Sequence, residues 1–290
     1  MKRILVIADP YDRPQRIIRR ATALAAKLGA RIDIVGFIYE HIANLPVKIG
    51  EYDIESLEGD LVEKHRQQIQ KKFDEVAKDV AGSVEVHWEK RVADWVIQRT
   101  QEKNYDLVIK GGHRSETFLY TSTDWQLLRG CRTPVLVIAD QRWRGGKHVM
   151  AAVDLGTSVK SKLALNYKVV EAASLMAKAL SCELHIGYVV PFSKVLRDLD
   201  MLDKKKLQRE GIRLAREFKD SLTERGIAVE DIHVATGRPE KALVNLAAKN
   251  RVGTVVMGCV GRAAVSGKVL GNTAEQILRL VKADVLAIKP

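Results

Sequence analysis

The chain has 290 residues, 46% hydrophobic and 29% charged, which suffices for one or two buried cores and excludes a disordered or low-complexity polymer. The formal net charge of +12 is lopsided: residues 1–141 hold 22 basic and 21 acidic side chains, whereas residues 142–290 hold 26 and 15. Cys131, Cys182 and Cys259 are far apart, odd in number and in no metal-like spacing, which excludes a disulfide framework and fits a reducing compartment.

The first predicted element is a strand, Ile4-Leu5-Val6-Ile7-Ala8, ending at Asp9. This run is too short for a signal peptide, and no stretch approaches the roughly 18 apolar residues of a membrane helix. A cytoplasmic chain without a membrane partner is expected. Apolar residues at Ile17, Ala21, Leu24, Ala25 and Leu28 have helical spacing and precede a second strand around Ile32-Asp33-Ile34-Val35. Lys103-Asn104 leads to a further strand, Leu107-Val108-Ile109, and Thr133-Pro134 to the last strand of this half, Val135-Leu136-Val137-Ile138. A short linker containing Arg142, Trp143 and Arg144 follows, and the two sheets are expected to pack against each other across it.

The same landmarks then return in the same order, with a period of about 145–150 residues. Val149-Met150-Ala151-Ala152-Val153-Asp154 repeats the first strand, Leu184-His185-Ile186 the second, Asn250 and Thr254-Val255-Val256 the fourth, and Ala283-Asp284-Val285-Leu286 the fifth. Continuous apolar runs mark strands buried on both faces, and strands alternating with helices imply right-handed crossovers and a parallel sheet. The reading is an α/β protein of two tandem, open-twisted, parallel five-stranded sheets, divided at 1–141 and 142–290.

Ligands of such sheets bind beyond the carboxyl ends of the strands, where strand order reverses. After the fourth strand of the second half stand Gly258-Cys259-Val260-Gly261, nine further residues, then Gly271-Asn272-Thr273 and a helix over residues 274–281. Glycines let backbone N–H groups approach an anion, and a helix N-terminus favours negative charge. Asn272 with Glu275, or Thr273 with Gln276, reads as a capping box. Read bare, the segment is also compatible with a capped helix that binds nothing. Cys259 is either a reactive thiol or, more simply, a small packed residue. His185 reads as a satisfied core histidine, and Lys204-Lys205-Lys206 as a solvated helix face.

Gly258-x-x-Gly261, nine residues, then Gly271 resembles the ATP-loop signature of the universal stress protein family, which ends in Gly followed by Ser or Thr; Asn272 departs from it. Asp9, Asp106, Asp154 and Gly237-Arg238-Pro239-Glu240 resemble the family too. Gly271-Asn272-Thr273-Ala274-Glu275 and Thr123-Asp124-Trp125 resemble its tandem, E-type members. The resemblance implies a Rossmann-like fold with strand order 3-2-1-4-5 in each half. It implies Asp154 near a ribose or base, Val189 meeting a base through its backbone, and Gly258, Gly261, Gly271, Asn272 and Thr273 around phosphates. The ligand implied is ATP or a related nucleotide, a nucleotide sugar staying open, with no metal other than nucleotide-associated Mg2+.

The first half departs from that pattern. Arg114 and Thr121 stand where the second half has glycines, so the same phosphate cradle is not expected, and His113 and Arg114 read as solvent-facing. No P-loop, G-x-G-x-x-G, nucleophile elbow or H-E-x-x-H occurs, and no catalytic residues are assigned. The expected role is a stress-response binding module with protein partners unknown. A ligand-free dimeric scaffold is the alternative, self-association through a strand edge is allowed, and nucleic acid is not expected.

Overall fold

The computed structural model describes residues 1–8, 14–40, 54–112, 122–139, 148–192, 203–259, 261–264, 267–270 and 272–290. Strand and helix alternate through the first half: β1 (Arg3–Ala8), α1 (Pro14–Leu28), β2 (Arg31–Ile38), α2 (Ile54–Asp74), β3 (Gly82–Trp88), α3 (Val92–Glu102), β4 (Leu107–Gly111), α4 (Ser122–Gly130) and β5 (Val135–Ile138). The second half repeats the series with β6 (His148–Val153), α5 (Lys160–Leu180), β7 (Glu183–Pro191), α6 (Lys204–Glu224), β8 (Asp231–Gly237), α7 (Pro239–Lys249) and β9 (Val252–Gly258). A hairpin, β10 (Gly261–Ala264) and β11 (Gly267–Leu270), then precedes α8 (Asn272–Leu280) and β12 (Asp284–Ile288). The expected boundary near residue 141 lies outside the described residues.

The five main-sheet strands of each half have the order 3-2-1-4-5 and pair in parallel, apart from the antiparallel β10–β11 hairpin, which forms its own two-stranded sheet. The halves do not pack as separate sheets. They join edge to edge: β5 pairs antiparallel with β12, Leu136 opposite Leu286, making one sheet of ten strands. A fifth strand left unpaired would expose a row of backbone donors and acceptors, and this pairing satisfies both rows at once.

Successive strand residues alternate between two apolar cores, as a pleated sheet requires. Ile4, Val6 and Ala8 face the core under α1, α2, α5 and α6, whereas Leu5 and Ile7 face the one under α3, α4, α7 and α8. Ile4, Ile32, Leu107 and Ile109 are fully buried, each contributing about 1.5–3 kcal/mol, more than a surface ion pair contributes. Both cores run through both halves. The basic run Lys204, Lys205 and Lys206 lies exposed in the first turn of α6, whose N-cap Asp203 accepts a hydrogen bond from the Lys205 N–H.

Candidate functional site

In the second half the strand order reverses between β6, paired with β7 on one side, and β9 on the other. Beyond the carboxyl ends of these strands lies a cavity of about 420 Å3. Its walls are apolar and come from four directions: Ala152 and Val153 from β6, Gly187 and Val189 from β7, Leu165 and Val169 from α5, Leu243 from α7. Met257 and Gly258 close the end on β9, and Ala274 and Ile277 the side on α8. Polar groups are few: Asp154, Lys162 and Asn166. An apolar slot with a few convergent polar groups is the usual build of a small-molecule site.

Asp154, Val189 and Gly258 all line this one cavity; Val189 lies within β7, two residues before its end at Pro191. Asp154 is exposed and directly follows β6. Its backbone is fastened by a residue that sequence reasoning missed: the Asp154 N–H donates to Asn166 Oδ1 at 3.0 Å, and Asn166 Nδ2 donates back to the Asp154 carbonyl at 2.8 Å. Asn166 is 5% exposed among the apolar residues of α5, and an amide in an otherwise apolar helical stripe is the signal that marked it. Lys162, one turn earlier on the same helix, adds a cation at the cavity and was also missed. Tyr188 beside the site is buried, and burial together with the charges of Asp154 and Glu210 pushes its hydroxyl pKa up.

Gly258 has a packing role besides any contact with a ligand. A β-carbon there would come within 2.6 Å of Leu165 Cδ2, so any larger residue would force the Leu165 side chain on α5 to move. A β-carbon at Gly187 would meet Met150 Sδ at 2.8 Å and Leu243 Cδ1 at 2.9 Å. Gly261 opens β10, opposite Leu270 in β11, so part of the segment between the second and third glycines of the motif is a β-hairpin. β11 also packs against α4 of the first half. Asn272 and Thr273 begin α8; their side chains, the capping contacts assigned to them, and Gly271 lie outside the described residues. Cys259 is fully buried, and burial pushes its thiol up to about 11, so it is a packed residue and not a reactive thiol at neutral pH.

The first half carries bulkier or charged side chains at several of the corresponding positions. By strand and helix register, Ile7 stands in place of Ala152, Val35 of Gly187 and Phe37 of Val189. Lys110 replaces Met257, and Asp124 replaces Ala274. These two form an ion pair at 2.9 Å, with side chains 3% and 0% exposed. Asp106 is structural: its carboxylate accepts from the Lys2 and Arg3 N–H groups at 2.6 and 3.0 Å and so anchors the start of β1. Asp9, His113, Arg114 and Thr121 lie outside the described residues.

Two repeats of an open parallel sheet, one with a cavity at its switch point that leads towards a glycine loop and a helix start, define a tandem doubly wound α/β protein. The chain belongs to the universal stress protein family: that family's profile matches residues 1–139 and again 146–289. It is 31% identical to "Universal stress protein E" of Escherichia coli (strain K12), over 99% of this chain and 93% of that protein. It is 28% identical to a "Universal stress protein E homolog" of Haemophilus influenzae, over 100% of this chain and 97% of that one. Among solved structures, a putative universal stress protein from Pseudomonas aeruginosa superposes with a TM-score of 0.72 at 24% identity, covering 100% of this chain and 94% of the other. One from Archaeoglobus fulgidus gives 0.65 at 19%, covering 98% of each.

Proposed function

We propose that the second half binds ATP or a related nucleotide-linked phosphate compound, and that this stress protein acts as a binding and regulatory module rather than as an enzyme. The observation that carries the reading is the contrast between the halves. One repeat has an apolar cavity of about 420 Å3 at its switch point, and the other carries the buried Ile7, Phe37 and Lys110–Asp124 pair at the register-equivalent positions.

In this reading the base lies between Val189, Leu243 and Met257, where apolar walls favour a flat ring. The Asp154 carboxylate accepts from ribose hydroxyls, its backbone held by Asn166. The phosphates lie towards Gly258, Gly261, Gly271, Asn272 and Thr273, where free N–H groups at the start of α8 oppose their charge, and Lys162 adds attraction. A nucleotide-associated Mg2+ would travel with the phosphates.

The test is mass spectrometry of small molecules released from the purified chain on denaturation, beside the Gly261→Glu variant. The expected result is a nucleotide or nucleotide-linked compound in the wild type that is lost from a folded variant. Nothing bound in either, with no thermal shift in millimolar ATP, overturns the reading in favour of a ligand-free scaffold.

A further inference from the structure

At the opposite, amino end of the same strands lies a cluster that nucleotide binding does not use. His148 opens β6. Glu183 and His185 open β7, and Asp231 and His233 open β8; each pair is two residues apart and shares a face of its strand. His148 Nδ1 lies 2.9 Å from Glu183 Oε2, and His185 Nε2 lies 3.6 Å from the same oxygen. One donor atom from each of these three residues falls within 4.8 Å of the other two. Behind them His185 Nδ1 is 2.8 Å from His233 Nε2, and His233 Nδ1 is 3.4 Å from the Asp231 carboxylate.

The order of protons along this row follows from its ends. The Asp231 carboxylate favours a proton on Nδ1 of His233, which leaves Nε2 of His233 as an acceptor. His185 then donates from Nδ1, and its Nε2 presents a lone pair. His185 is buried, as expected of a core histidine, but this Nε2 makes no hydrogen bond with any described residue. It faces Glu183, a carboxylate that can only accept. With this tautomer two electron-pair donors lie 3.6 Å apart, and a cation between them would satisfy both.

The first half shows the alternative. By register, Arg3, Arg31 and Asp33 hold the positions of His148, Glu183 and His185. There the cation is part of the chain: the Arg3 guanidinium lies 2.6 Å from the Asp33 carboxylate. The second half has a histidine where that arginine stands.

We propose that His148, Glu183 and His185 form a binding site for a divalent transition metal of the Zn2+ class, with His233 as the positioning residue that orients His185. Two imidazoles and a carboxylate suit such an ion. Tetrahedral bonds of about 2.0–2.1 Å place neighbouring ligand atoms roughly 3.3 Å apart, between the two separations seen here. His233 hydrogen-bonds the other ring nitrogen of His185, as outer partners of ligating histidines do. A cavity of about 400 Å3, lined by His148, Lys178, Cys182 and Glu183 among others, borders the cluster and offers an ion a route in. Bound there, the metal ties the amino ends of β6 and β7 together, at the far end of the sheet from the nucleotide cavity.

The test uses the full-length chain without an affinity tag, stripped by chelator, then titrated with Zn2+ by calorimetry and with Co2+ by visible absorption. One equivalent is expected, with Co2+ bands of a four-coordinate site. Glu183→Gln, on a half-exposed side chain, and His148→Gln each weaken Zn2+ affinity at least tenfold with the far-ultraviolet circular dichroism unchanged, and His233→Ala weakens it by about 10–100-fold. The proposal is overturned by no saturable uptake in the wild type, by uptake undiminished in both glutamine variants, or by uptake lost only in Cys182→Ser.

Discussion

Asp33 shows how one buried carboxylate organises its surroundings. It is 3% exposed and accepts from Arg3 Nε at 2.8 Å, from the Tyr105 hydroxyl at 2.8 Å and from the Ser83 hydroxyl at 3.1 Å. Burial alone would raise its pKa, but the hydrogen bonds from Tyr105 and Arg3 and the charge of Arg3 outweigh it and hold the carboxyl below the usual range. A carboxylate with a lowered folded pKa contributes stability that is complete above its unfolded value, near pH 4, and is lost as pH falls through the folded value. Thermal melts from pH 7 to pH 3 are therefore expected to show a steeper acid loss in wild type than in Asp33→Asn, with the variant about 2 kcal/mol less stable at pH 7. Equal slopes would mean that the charge of Asp33 contributes nothing. At this scale the sequence was legible where position follows from the strand pattern: Asp154 directly follows β6, Gly258 ends β9, and both line the cavity at the switch point. Asn166 was harder to find, because its partner is the backbone of a residue twelve positions earlier.

Between elements, the halves differ in side chains at positions that line the second half's cavity. Both halves share the same five main-sheet strands in the same order with equivalent flanking helices, and the second adds the β10–β11 hairpin. Lys110 on β4 reaches Asp124 on α4 in a buried ion pair, at the positions where Met257 on β9 and Ala274 on α8 line the second half's cavity. A buried ion pair adds little net stability. Carrying it across in the double variant Met257→Lys, Ala274→Asp is expected to weaken ATP-analogue binding by at least tenfold while circular dichroism stays native. Unchanged affinity in calorimetric titration would place the ligand elsewhere. The glycine motif showed in the sequence which repeat to inspect, but not that part of it folds as a hairpin against α4.

Over the whole molecule, the two repeats behave as one body because their fifth strands pair and both cores cross the seam. A part-buried ion pair between Arg20 on α1 and the buried Asp284 on β12 adds to it, and Asp284 Oδ1 also accepts from the Ala139 N–H at 2.8 Å. Asp284→Ala leaves a guanidinium and a backbone donor without this acceptor, and a loss of about 3 kcal/mol in urea unfolding is expected. Asp284→Asn keeps an acceptor for Ala139 and is expected to lose less. Equal stability of both variants with wild type would show that the seam rests on the sheet and cores alone. The Arg279 and Arg129 guanidinium groups lie 5.8 and 5.9 Å from the Trp125 ring centroid, so α8 and α4 also meet across the same seam. The sequence by itself determined the α/β class, the duplication and the repeat that carries the glycine loop, because apolar periodicity and glycine spacing are local properties of the chain. Only the tertiary structure decided that two sheets become one, that Lys110 meets Asp124, and that three histidines and a glutamate converge at the strand starts. Those contacts join residues far apart in sequence, and strand register and helix packing, not local pattern, set which of them touch.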